Sequence, residues 1–88
     1  ATRDRSARAM KIPELRRALA EHGINSRAYS IGEDRKDDEQ YRLAESEGLW
    51  IFGYLERGNM VNERWFATED EACDYFLRSL LADPTTPR

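Results

Sequence analysis

From Leu49 to Leu55 the chain runs seven positions without a charge: Leu49-Trp50-Ile51-Phe52-Gly53-Tyr54-Leu55. A β-strand sends successive side chains to opposite faces. Trp50, Phe52 and Tyr54 therefore point one way, and Leu49, Ile51 and Leu55 the other. A strand that is apolar on both faces belongs inside a sheet, with a neighbour on each edge. The segment predicts the central strand of an antiparallel meander, and the rest of the fold has to supply its neighbours and its cover.

The neighbours are legible on either side. Tyr41 to Ser46 is amphipathic and reaches the central strand through a turn at Glu47-Gly48. Arg57-Gly58-Asn59 forms the second turn, with Gly58 or Asn59 able to take positive φ, and Met60 to Phe66 is the third strand. Two hairpin registers remain open. A two-residue Gly58-Asn59 turn sets Phe52 opposite Trp65 and leaves Leu49, Ile51, Leu55, Arg64 and Phe66 on the far face. A three-residue turn pairs Trp50 with Phe66 and leaves Ile51, Leu55, Val61 and Trp65 there. The second is preferred, because Phe66 directly precedes a helix and packs beneath it.

Two helices frame the strands. Pro13 to His22 has proline in its first turn, where the missing N–H costs nothing. Leu15, Ala18, Leu19 and His22 recur at helical spacing, and Gly23 supplies a left-handed stop. Thr68-Glu69-Asp70-Glu71 is a capping box that opens the second helix, whose apolar stripe is Ala72, Cys73, Phe76, Leu77 and Leu80. Asp83-Pro84 ends it. The expectation is a single small α+β domain of order α-β-β-β-α, a three-stranded antiparallel meander with both helices on one face. Residues 10–83 form that domain, 1–9 read as a disordered N-terminal tail and 84–88 as a C-terminal tail.

With 88 residues there is room for one domain only, and 40% hydrophobic residues suffice for its core. One cysteine rules out an internal disulfide and any cysteine-cluster metal site, which suits a reducing cytoplasm. No apolar run approaches the ~20 residues of a membrane helix, and the polar, Arg-rich start is unlike a signal peptide. The formal charge of −3 is unevenly spread. Residues 1–17 hold six basic residues against two acids, whereas residues 33–47 hold seven acids against three bases. The stretch from Asn25 to Gln40 is long for a connector, which marks a functional or mobile loop.

The residues offer little for catalysis. His22, the single histidine, falls in the last turn of the first helix, where a cation suits the helix C-terminus. Cys73 sits on an apolar stripe, the setting of an inert thiol. The abundant carboxylates lie in a loop with no apolar pocket to raise a pKa. Asp37-Asp38-Glu39 lacks the glycine and the alternating spacing of a calcium loop. The expectations are therefore no enzyme, no cofactor and no metal. The element order is shared with the double-stranded-RNA-binding domain, but that family places lysines at the start of its second helix. Here Thr68-Glu69-Asp70-Glu71 would repel phosphates, so nucleic acid is not an expected partner.

Three stretches share a pattern with a known group. Leu15-Arg16-Arg17-Ala18-Leu19-Ala20-Glu21-His22-Gly23-Ile24 comes first. The aromatic strand follows and closes on Glu56-Arg57-Gly58. Glu63-Arg64-Trp65-Phe66 then leads into Thr68-Glu69-Asp70-Glu71-Ala72. Over most of residues 11–82 the chain resembles the small immunity proteins encoded beside bacterial polymorphic toxins. The resemblance implies a bacterial, cytoplasmic protein that binds a cognate toxin domain and occludes its active site. Toxins that act on nucleic acids or nucleotides have basic clefts, and an acidic partner with an apolar centre is steered to such a cleft.

The expected partner-binding residues are Asp37, Asp38 and Glu39 for electrostatics, with Ile51, Arg64 and Trp65 as the anchoring group. Either register leaves several large apolar side chains on the far face of the sheet, more than chance scatter. The alternative is a homodimeric structural or regulatory domain that pairs through that face.

Overall fold

The computed structural model describes residues 10–88, so the expected N-terminal tail, 1–9, lies outside the described residues. Helix α1 spans Ile12–Glu21 and α2 spans Glu69–Ala82. Between them lie a 3₁₀ turn, Ser26–Ala28, and four strands: β1 (Tyr29–Ile31), β2 (Gln40–Ser46), β3 (Leu49–Glu56) and β4 (Asn59–Phe66). The sheet order is β1-β2-β3-β4, with β1 parallel to β2 and the other pairs antiparallel. The α+β class holds, with one correction: the sheet is four-stranded and mixed, not a three-stranded antiparallel meander.

The extra strand lies in the stretch read as a connector. Tyr29, Ser30 and Ile31 pair with Tyr41, Arg42 and Leu43. Three residues are too few for a periodicity to show, and a parallel pairing usually needs a long crossover. Here residues 32–39 make the return alone. Gly32 takes φ +61°, and Asp34 folds back, accepting the N–H of Ile31 at 3.1 Å and a two-pronged contact from Arg16 at 3.0 and 3.1 Å.

Both helices end by local chemistry. The N–H of Lys11 donates to Glu14 Oε1 at 3.2 Å, and Ile12 N–H donates to Glu69 Oε2 at 2.8 Å, so the two helix starts are tied together. At the other end of α1, Ile24 N–H reaches the carbonyl of Leu19 (2.9 Å) and Gly23 N–H that of Ala20 (3.0 Å), a Schellman closure that needs Gly23 at φ +74°. Thr68 caps α2, its hydroxyl accepting the N–H of Glu71 at 3.3 Å.

The β3–β4 register combines features of both expected forms. The turn is the two residues Arg57-Gly58, at φ +54° and +82°, the double positive φ of a type I′ turn. Pairing starts as Glu56↔Asn59, Leu55↔Met60 and Tyr54↔Val61, then slips one residue to Phe52↔Arg64, Ile51↔Trp65 and Trp50↔Phe66. Asn62, at φ +55°, is the bulge that absorbs the slip. The preferred Trp50–Phe66 pairing is therefore present, but produced by a bulge rather than a longer turn. Val61, expected on the far face, instead shares the side of Tyr54, and Met60 stands beside Leu55.

Leu15 and Leu19 of α1 and Ala72, Cys73, Phe76 and Leu80 of α2 bury against Ile31, Leu43 and Phe52 of the sheet. Both helices cover the same face, as expected. Residues 84–88, read as a tail, return to the body: Asn25 N–H donates to the carbonyl of Pro87 at 2.9 Å, and Thr86 is buried.

Candidate functional site

On the side away from the helices, the alternation of β3 presents Leu49, Ile51, Gly53 and Leu55. Across the strands this face continues through Arg42 and Ala44 on one side and Met60 and Trp65 on the other. Two devices close half of it. The 32–39 return crosses β1 and β2, where the buried Ser30 hydroxyl donates to the Asp34 carbonyl (3.3 Å) and Arg42 donates to Ser30 Oγ (2.6 Å) and to the Gly32 carbonyl (2.7 Å). Residues 36–38 line a shallow recess with Leu55. Met60 lies flat over Gly53, so close that a Cβ there would stand 2.5 Å from Met60 Cγ.

The other half stays open. Trp65 is 52% exposed and Leu49 41%, with Ile51 half-buried directly opposite Trp65. Trp65, Leu49 and Ile51 thus adjoin as an apolar cluster on the uncovered part of the sheet face.

Of the six expected partner-binding residues, the structure brings Ile51 and Trp65 together and divides the others. Asp37 is exposed, 3.8 Å from the Arg35 guanidinium. Asp38 is exposed too, but its carboxylate accepts the N–H of Gly58 at 2.8 Å and so pins the return to the β3–β4 turn. Glu39, at φ +63°, accepts the Tyr54 hydroxyl at 3.2 Å, which carries its carboxylate round to the helix side of the sheet. Arg64 is opposite Phe52 and therefore also faces the helix side, its guanidinium 5.6 Å from the centre of the Tyr75 ring.

That helix side holds a feature the sequence reading missed. Alongside α2, from Tyr75 to the residue that follows its end, a groove of about 700 Å³ separates helix and sheet, lined by Tyr41, Phe52, Tyr54, Arg64, Tyr75 and Asp83, among others. Tyr41 donates its hydroxyl to Asp83 Oδ2 at 2.6 Å, and Asp83 also receives the N–H and hydroxyl of Thr85 at 2.9 and 2.7 Å. These hydrogen bonds, that of Tyr41 foremost, hold the Asp83 carboxyl below the usual carboxylate range. Burial, then the neighbouring Asp83, pushes the Tyr41 phenol well above its ordinary value. Burial and the charge of Glu39 raise Tyr54. Tyr41, Phe52 and Tyr54 share one face by simple strand alternation, so the aromatic wall was readable; the position of Asp83 after the helix end was not.

Burial raises the Cys73 thiol to about 12, leaving it protonated in the core, while His22 is exposed at the end of α1. Among the described residues no three His, Cys, Asp or Glu side chains converge on a metal-sized position, and no helix is long and apolar enough to cross a membrane. No family model matches the chain, and no curated protein or solved structure matches it either.

Proposed function

We propose that the chain is a non-enzymatic protein-binding module of the immunity type, which docks a toxin domain on its open sheet face and occludes that domain's active site. The observation that carries this reading is the grouping of exposed Leu49 and Trp65 with half-buried Ile51 on β3 and β4. Burying such a centre supplies most of an interface's affinity, with a central tryptophan worth about 2 kcal/mol or more on truncation. Acids rim the same face. Asp37 and Asp38 stand at the Leu55 end, and Glu47 turns the chain beside Leu49. An acidic rim round an apolar centre suits a basic cleft: charge speeds the encounter, and the centre holds the complex once docked.

The test pairs the unaltered chain with Trp65→Asp as baits in the source lysate, eluted at rising salt. A single stoichiometric partner, an enzyme whose activity stops when the unaltered chain is added and continues with the variant, is the expected result. A captured enzyme inhibited equally by both baits overturns the assignment of the face.

A second reading uses the same surface. β4 is an edge strand with Trp65 on it, so a second copy can pair there. It predicts a concentration-dependent dimer in sedimentation, lost on Ile51→Asp, whereas a monomer at high concentration removes it and leaves the first reading standing.

A further inference from the structure

The two edges of the sheet are finished differently. β1 is three residues long, and side chains take up its outward backbone groups at Ile31 and the carbonyl of Tyr29. Asp34 accepts the Ile31 N–H at 3.1 Å, Arg16 donates to the Ile31 carbonyl at 3.4 Å, and Gln40 donates to the Tyr29 carbonyl at 3.3 Å. A short strand with its groups capped is a protected edge.

β4, at the other edge, has eight residues and neither proline nor lysine. The register fixes which of its backbone groups point outward. Ser46↔Leu49 closes the tight Glu47-Gly48 turn, so Leu49 and Ile51 bond to β2, and Trp50 and Phe52 bond to β4. Their β4 partners, Phe66 and Arg64, therefore bond inward. Trp65, between them, turns its N–H and carbonyl away from the sheet. Among the described residues no hydrogen bond from a loop or a side chain reaches β4. The bulge at Asn62 interrupts the edge, which leaves Glu63 to Phe66 as the run open to pairing.

That run separates the two surfaces described above. Trp65, 52% exposed, belongs to the open face. Arg64 belongs to the helix side, where it lines the groove over the Tyr75 ring. Among the described residues its guanidinium forms no ion pair.

We infer that the Glu63 to Phe66 half of β4 receives an extended strand of the protein partner, added antiparallel as a fifth strand of the sheet. The backbone of the added strand supplies the N–H and carbonyl that Trp65 lacks. Its side chain opposite Trp65 is apolar and joins the open face. The next one lies opposite Arg64 and is acidic, in the non-hydrogen-bonded position where facing side chains come closest. A second copy of this chain does not meet that requirement. Antiparallel self-pairing centred on Arg64 sets like charges opposite each other, and centred on Trp65 it sets Arg64 opposite Phe66. The inference deepens the protein-binding reading above and rests on it, since it specifies how the partner engages the edge of the same face.

The experiment is an amide-resolved NMR titration of the full chain with acetyl-Thr-Val-Glu-Val-Thr-amide, whose glutamate meets Arg64 while a valine meets Trp65. Three parallel probes are N-methylated on both valines, N-methylated on the glutamate alone, or carry lysine in place of glutamate. Saturable shifts at Glu63 to Phe66 are expected, with the Trp65 N–H newly protected from exchange. Methylating the valines removes the donors that face β4 and should abolish binding, whereas the glutamate N–H faces solvent and its methylation should be tolerated. The lysine probe should bind roughly threefold more weakly, and Arg64→Glu, at an exposed position, should reverse that preference. No saturable shift, equal loss with both methylated probes, or an unchanged preference in Arg64→Glu would each overturn the site. Concentration-dependent shifts at the same amides without peptide would give the edge to a second copy and overturn it as well. A captured partner that depends on Trp65 while the Trp65 N–H still exchanges freely would uphold the open face and overturn the added strand.

Discussion

The phenol of Tyr41, in the second position of β2, donates to the carboxylate of Asp83, just past the end of α2, at 2.6 Å. This bond joins the sheet to the point where the last helix stops, and it gives the protein a stability that falls off at both ends of the pH scale. Asp83 and Asp34 are both held below the ordinary carboxyl value in the folded state, by Tyr41 and by Arg16 respectively. Each therefore contributes stability that is complete above the unfolded carboxyl value near ~4 and is lost as pH falls through the lower folded one. Tyr41 is raised, so its contribution is complete below the unfolded phenol value near ~10 and is lost as pH climbs above it. Urea midpoints measured across pH should fall on both limbs, and Tyr41→Phe should flatten the alkaline limb while costing about 1 kcal/mol near neutrality.

Gly53 is required by its neighbour rather than by its own backbone, which keeps φ out of the positive range. A methyl there would meet Met60 Cγ at 2.5 Å and Sδ at 2.8 Å. Gly53→Ala should thus displace Met60 from the open face and cost about 1–3 kcal/mol. In a Met60→Ala background the same substitution should cost less, a coupling that a double-mutant cycle in denaturant reads directly.

Cys73 is fully buried, and its thiol is raised to about 12. Thiolate is the reactive form, so the native protein should resist iodoacetamide at neutral pH. Modification should appear only as the chain unfolds, with a rate that follows the urea transition. Labelling that is fast in buffer alone would mean that α2 detaches from the sheet locally.

Much of this architecture follows from the chain itself. The two-faced β3 run, the Thr68 cap and the Gly23 stop are short-range signals, and each element they mark is present. What escaped depends on distant partners. β1 is three residues paired with β2, and the side chains of Asp34, Arg16 and Arg42, distant in sequence from one another, hold the return beside that pairing. The bulge at Asn62 moves Val61 to the helix side and keeps Trp65 on the open face; asparagine tolerates positive φ better than its neighbours, but that preference alone does not say that the register slips there. The same long-range effect divided the expected binding set. Ile51 and Trp65 follow from alternation and register, whereas Glu39 turns away because its φ is positive and Tyr54 holds its carboxylate.

Asp37 and Asp38 are adjacent in the chain but do different work, and substitution separates them. Among the described residues the Asp37 side chain pairs only with Arg35, at 3.8 Å and in the open, a pairing worth little. Asp38 accepts the N–H of Gly58, where a left-handed turn leaves that donor otherwise free. Asp37→Asn should leave the thermal midpoint unchanged, while Asp38→Ala should cost about 1 kcal/mol by uncapping the β3–β4 turn. If the open face meets a basic cleft, Asp37→Lys should slow association with the captured partner and reduce its salt dependence, with little change in the dissociation rate. Stopped-flow association at two ionic strengths measures both quantities. An Asp37→Lys association rate equal to that of the unaltered chain at low salt would place the 32–39 return outside the interface and leave the docking to Leu49, Ile51 and Trp65 alone.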